Sequence, residues 1–150
     1  MRIRAVLLLA PVAALVAAGC GSSSDTSSTS NDTAAKPKAA APSSGPVKVN
    51  LDEWKVAPSA TSLAAGKVKI TAANDGKTTH EMVVLRTDKP AASLGKGSRV
   101  SESGSVGEIS DLKAGASASK TFDLKPGHYV LICNLPGHYS AGMRTDLTVR

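Results

Sequence analysis

Aromatic side chains are scarce in this chain: one Trp, two Tyr and one Phe among 150 residues. Lys and Arg outnumber Asp and Glu by 18 to 12, a formal charge of +6, but they are scattered and form no dense block. A nucleic-acid surface needs a clustered basic face, so that class of partner is not expected. The mild positive balance suits ordinary surface solubility, and it is compatible with an acidic protein partner or an anionic membrane surface. Cysteine is scarcer still, limited to Cys20 and Cys133, and histidine to His80, His128 and His138. No Cys-x-x-Cys-His is present, which excludes covalent haem attachment of the c type. No stretch carries a helical period over several turns, and no internal repeat is visible. The longest apolar run, Ala5–Ala18, is interrupted at Pro11. It is shorter than the about 20 residues a spanning helix requires.

That run nevertheless follows Arg2 and Arg4 and leads into "VAAGC", ending at Cys20. A basic start, a short apolar stretch and small residues before the break read as an export signal over residues 1–19. "VAAGC" resembles the lipobox of bacterial lipoproteins, which implies cleavage before Cys20 and a diacylglycerol on its sulfur. Ala17 stands where a strict lipobox prefers leucine. From Cys20 to Pro46 there is no large apolar side chain, so residues 20–46 are expected to form a disordered tether. Its Gly, Ser, Ala and Pro content suits a flexible spacer. The expected placement is extracytoplasmic, anchored by lipid to the bacterial cell membrane. The folded unit is then residues 47–150, roughly 104 residues and one domain.

Within that unit short strands alternate with turn signals. "VKVNL" (Val47–Leu51) and "GKVKITAAN" (Gly66–Asn74) alternate apolar and polar residues, and "NDG" supplies turn chemistry. "HEMVVL" (His80–Leu85) and "HYVLIC" (His128–Cys133) read as strands inside a sandwich. "SASKTFDL" (Ser117–Leu124) alternates less cleanly, and "RTDLTV" (Arg144–Val149) closes the domain. Arg86–Gly107 reads as a long surface loop with at most a short helical turn. The pattern predicts an all-β sandwich or barrel. Its core is expected around Val47, Val68, Ile70, Val84, Phe122 and Leu131, with Met82 and Trp54 read as core packing and His128 as a solvated surface residue.

The scarce metal-binding side chains are not scattered. Cys133, His138 and Met143 fall in "CNLPGHYSAGM", with four residues between each pair. They lie on the connection between two strands, at one end of the sandwich. His80 opens the "HEMVVL" strand after a turn and can reach the same end. Two imidazoles, one thiolate and one thioether form a soft N/S set, and His₂Cys with a weak axial Met is the ligand pattern of a blue-copper electron-transfer site. With Cys20 lipidated, Cys133 has no disulfide partner, and a lone exported thiol is either inert or bound. Zinc rarely takes a thioether. A dinuclear copper centre would need a second cysteine in the loop. A cysteine-nucleophile enzyme would leave Met143 without a role.

The order His…Cys-x₄-His-x₄-Met, entered through "KPGHYVLICNLPGH", resembles the cupredoxins, and among them the sulfocyanin- and plastocyanin-type bacterial proteins. The resemblance covers about Val47–Arg150. It implies a cupredoxin-like Greek-key β-sandwich holding one type 1 copper. His80, Cys133 and His138 would be the equatorial ligands, Met143 the axial ligand and His138 the electron port. One residue departs from the pattern: Glu81 stands where many cupredoxins place an asparagine that ties two loops. The expected function is electron transfer by a membrane-tethered monomer that meets redox partner proteins transiently, and not enzymatic turnover. The alternative is a copper-binding or delivery protein for extracytoplasmic cuproenzyme assembly or copper homeostasis. The carrier is favoured because no Met- or His-rich cluster lies outside the site.

Overall fold

Alternation in Val47–Asp52 (β1) sends Val47, Val49 and Leu51 inward, and the same period in Gly66–Asn74 (β4) buries Val68, Ile70 and Ala72. In the computed structural model, which describes residues 41–150, these strands lie side by side in parallel. Lys55–Pro58 (β2) pairs antiparallel with β1 on one side, and Ser117–Leu124 (β7) with β4 on the other. This makes a four-stranded sheet ordered β2-β1-β4-β7.

The second sheet has five strands. Ser62–Leu63 (β3), His80–Arg86 (β5), Ser105–Leu112 (β6), Gly127–Ile132 (β8) and Arg144–Val149 (β9) are ordered β3-β9-β8-β5-β6. The inner faces of the two sheets enclose one apolar core, in which Val47, Val68, Ile70, Val84, Phe122 and Leu131 are all buried. The expected all-β, two-sheet domain is therefore the observed one. Export signal, Cys20 and most of the expected tether lie outside the described residues. Backbone pairing begins ahead of Val47, because Ser43 bridges to Leu63 and bonds to Ser62 and Ala64.

Two central strands are apolar on both faces for a reason. In β5, Met82 and Val84 face the main core, while Val83 and Leu85 face outward, as do Val130 and Ile132 of β8. A second apolar cluster covers that outer face, with Ala91, Val100 and Tyr139 buried and Leu94 packed against it. The segment expected as a long surface loop thus acts as a flap over the sheet. A 3-10 turn, Ala91–Ser93, is the short helical element within it. Asn134 pins the flap by accepting from Val100 N (2.8 Å) and donating to Val100 O (3.0 Å).

Three strands, β2, β3 and β6, leave little trace in the sequence. β6 buries only Ile109 and Leu112, as an edge strand rich in small and polar residues would. It also carries an irregularity beside the site: His80 pairs with Leu112 but Met82 with Ile109. Such bulges bend a strand and re-aim its side chains. Here both His80 and the following Glu81 are buried.

Candidate metal centre

Cys133 directly follows β8, and Met143 directly precedes β9. The intervening loop closes on itself. Cys133 N donates to Met143 O (3.0 Å), and Met143 N donates to His138 O (3.1 Å). A single helical turn, His138–Ala141 (α1), fits between Gly137 (φ 87°) and Gly142 (φ 130°). Both glycines occupy backbone conformations unfavourable to other residues. At Gly142 a Cβ would also stand 2.9 Å from Trp54 O.

The loop brings three donor atoms together. Cys133 Sγ lies 3.3 Å from His138 Nδ1 and 3.9 Å from His80 Nδ1, and the two Nδ1 atoms are 3.2 Å apart. Among the described residues these are the groups that could hold a metal ion, all ligand atoms lying within 4.8 Å of one another. His80 and Cys133 are fully buried, and His138 is partly exposed. Met143 is fully buried in the same apolar cluster as Cys133, and its backbone is bonded to both Cys133 and His138. His128 is not part of this group. Its ring nitrogens face Thr87 O (2.6 Å) and Asp146 Oδ1 (2.9 Å).

Charge and hydrogen bonds shape the donors. Burial pushes the Cys133 thiol up, while N–H groups of Glu81 and Leu135 act in the opposite direction. The Glu81 N–H points at the sulfur at 3.4 Å, a contact that favours the thiolate. Burial also lowers His138, with His80 adding to the effect, so its neutral, metal-binding form is favoured. Glu81 accepts from Asn134 N (3.1 Å), so the residue in the unusual position ties the strand of His80 to the loop of Cys133. Burial pushes its carboxyl up from the ordinary value.

Two residues at the site carry no signal in the sequence. Glu53 reaches from the β1–β2 turn and accepts from His80 Nε2 at 3.1 Å. Its carboxyl is lowered to about 2, first by the Thr78 hydroxyl and then by the backbone N–H groups of Thr78 and Lys77. Its neighbour Trp54 corrects the core expectation. The indole is 47% exposed and stands edge-on to the His138 ring, centroids 5.1 Å apart. Met82, by contrast, is core. Tyr139 belongs to the second apolar cluster. It adjoins His138 in sequence, yet its side chain is buried under the flap, donating to Ala91 O and accepting from Leu94 N.

A two-sheet β-sandwich that gathers two imidazoles and one thiol at one end, with a buried methionine beside them, defines a cupredoxin. The chain belongs to the plastocyanin/azurin family of copper binding proteins, which it matches over residues 44–150. Auracyanin-B of Chloroflexus aurantiacus is 56% identical over 39 residues, 25% of this chain and 17% of that protein. A crystal structure of auracyanin B is 26% identical, with a TM-score of 0.54 over 71% of this chain and 88% of that one. Auracyanin from Roseiflexus castenholzii (20% identical, TM-score 0.56, 73% of this chain and 99% of that one) shares the fold. So does rusticyanin from Thiobacillus ferrooxidans (17%, TM-score 0.55, 70% and 76%). The family is one of copper-binding, electron-transfer proteins with a single type 1 copper, and the donor set suits that metal: soft sulfur and imidazole, buried and convergent.

Proposed function

We propose that this chain is a one-electron carrier whose copper is held equatorially by His80, Cys133 and His138 and axially by Met143. The observation that carries the reading is the convergence of three donor atoms within 4.8 Å at one end of the sandwich. When bound, copper supplies reversible one-electron chemistry. The protein's part is to hold the donors still. The Glu81 N–H fixes the sulfur, Glu53 fixes the His80 ring, and the loop's own hydrogen bonds fix His138. Cys133 and Met143 sit within the main apolar core and His80 is fully buried, so bulk water is kept from that side. His138 is the partly exposed member, so its edge is the electron port, and Trp54 beside it offers a docking contact. Docking of this kind is small and transient. The placement supported by the family is extracytoplasmic. The leader "VAAGC" adds a lipid on Cys20, with the residues after it as the tether as far as Ser43, where pairing with the domain begins, and the rest as a monomeric working domain. No catalytic turnover is assigned to it.

The test is copper content and the visible spectrum of the oxidised protein, for wild type and Cys133→Ser. One copper per chain, an intense visible band and reversible one-electron cycling are expected for wild type, and loss of the band for the variant. A colourless wild type that binds one copper, or release of Cu(I) to an acceptor faster than it cycles, would favour copper delivery instead.

A further inference from the structure

We infer that Glu53 is a positioning residue of the metal centre: its carboxylate fixes His80 in the tautomer whose Nδ1 lone pair faces Cys133 and His138. The inference rests on the copper-centre reading for its consequence, but not for its geometry. Glu53 Oε1 already accepts from Thr78 Oγ1, Thr78 N and Lys77 N, so its 3.1 Å contact with His80 Nε2 is also that of an acceptor, which puts the imidazole proton on Nε2. The other nitrogen, Nδ1, then carries the lone pair and lies 3.2 Å from His138 Nδ1 and 3.9 Å from Cys133 Sγ. Ligating histidines that donate their second nitrogen to a carboxylate gain both orientation and basicity.

The carboxylate is in place independently of His80. Glu53 Oε1 accepts from Thr78 Oγ1 (2.7 Å), Thr78 N (2.8 Å) and Lys77 N (3.0 Å), and Oε2 lies 3.1 Å from Lys77 N. The turn that presents these donors is itself held by Asn74, which donates to Thr78 O (2.7 Å) and accepts from Gly76 N (2.9 Å). Gly76 leaves the space the carboxylate fills, because a Cβ there would stand 2.7 Å from Glu53 Oε2. The turn at Glu53 and the segment from Asn74 to His80 thus converge on one hydrogen bond to one candidate ligand. An exposed Glu serving solubility would not need this arrangement.

The first arm of the test uses metal-free protein. Imidazole ¹⁵N shifts should show His80 protonated on Nε2 in wild type and in Glu53→Gln, whose amide oxygen still accepts. In Glu53→Ala and Gly76→Ala they should show a mixture of tautomers. The second arm measures Cu(I) affinity by chelator competition. Glu53→Ala should bind about 10–100-fold more weakly, the usual cost of losing such a partner, with Glu53→Gln restoring most of the loss. Gly76→Ala keeps the charge and moves only its position, so it separates placement from net charge if Glu53→Ala folds poorly. An unchanged His80 tautomer in Glu53→Ala and Gly76→Ala would overturn the proposal, as would unchanged affinity in both. If wild type binds no copper, the copper reading fails and the tautomer arm alone still decides the role of Glu53.

Discussion

Tyr139→Phe removes one oxygen from the link between the metal loop and the flap, and its cost can be worked from the contacts. The Tyr139 hydroxyl donates to Ala91 O at 2.6 Å and accepts from Leu94 N at 3.1 Å, and the residue is 1% exposed. Phenylalanine keeps the ring packed with Val83, Val130 and Ile132, so transfer and cavity contributions are small. What is lost is two hydrogen bonds, each with a net value of about 1 kcal/mol. The Ala91 carbonyl is left in a buried setting, whereas Leu94 is half-buried and its N–H can recruit water. The two effects together give about 1.5–2 kcal/mol of destabilisation. Urea unfolding of metal-free protein should show this as a lower midpoint at unchanged slope. Amide exchange should accelerate at Leu94 well before global unfolding, because the flap opens locally. A change below about 0.5 kcal/mol, with exchange at Leu94 unaltered, would refute the idea that this hydroxyl fastens the flap.

Met143→Leu should keep copper bound and raise the reduction potential, measured by voltammetry, since a lost thioether donor costs Cu(II) more than Cu(I). The swap conserves volume at a fully buried position, so the unfolding midpoint should move by less than about 1.5 kcal/mol equivalent. His80→Ala and His138→Ala should each lower copper affinity, and added imidazole should restore the visible band more readily in His138→Ala. His138 is partly exposed and His80 is fully buried; equal rescue would contradict this placement of the two rings. Cys20→Ser should shift the protein from the membrane fraction to the soluble exported fraction, and identical fractionation would rule out the lipid anchor.

Whether a residue's role is legible in the sequence depends on how that residue is held. β4 and β9 are readable to the residue because alternation and turn chemistry are local properties, encoded in Gly66–Asn74 and Arg144–Val149, whereas Ser117–Leu124 (β7) alternates only at its end, where Phe122 and Leu124 are buried. Cys133, His138 and Met143 are readable together because soft donors at even spacing in one short loop rarely serve anything but a metal. β6 is not, since an edge strand with two buried side chains has almost no pattern to detect. The flap reads as a surface loop for a related reason: Ala91, Leu94 and Val100 are too few and too far apart to show a period, and their burial comes from the outer face of β5 and β8. The apolar run "MVVL" holds the clue, because consecutive buried residues in one strand require cover on both faces. Glu53 and Trp54 are invisible in another sense. They belong to a turn between two strands, where a charged and an aromatic residue mean little alone. Their roles arise only when β1 and β4 pair and bring that turn over the residues that end at His80. Local pattern therefore specifies which atoms could bind a metal, while tertiary pairing specifies how those atoms are oriented. The groups that orient the ligands, rather than the ligands themselves, are where a reading from sequence stops and where substitutions such as Glu53→Gln become informative.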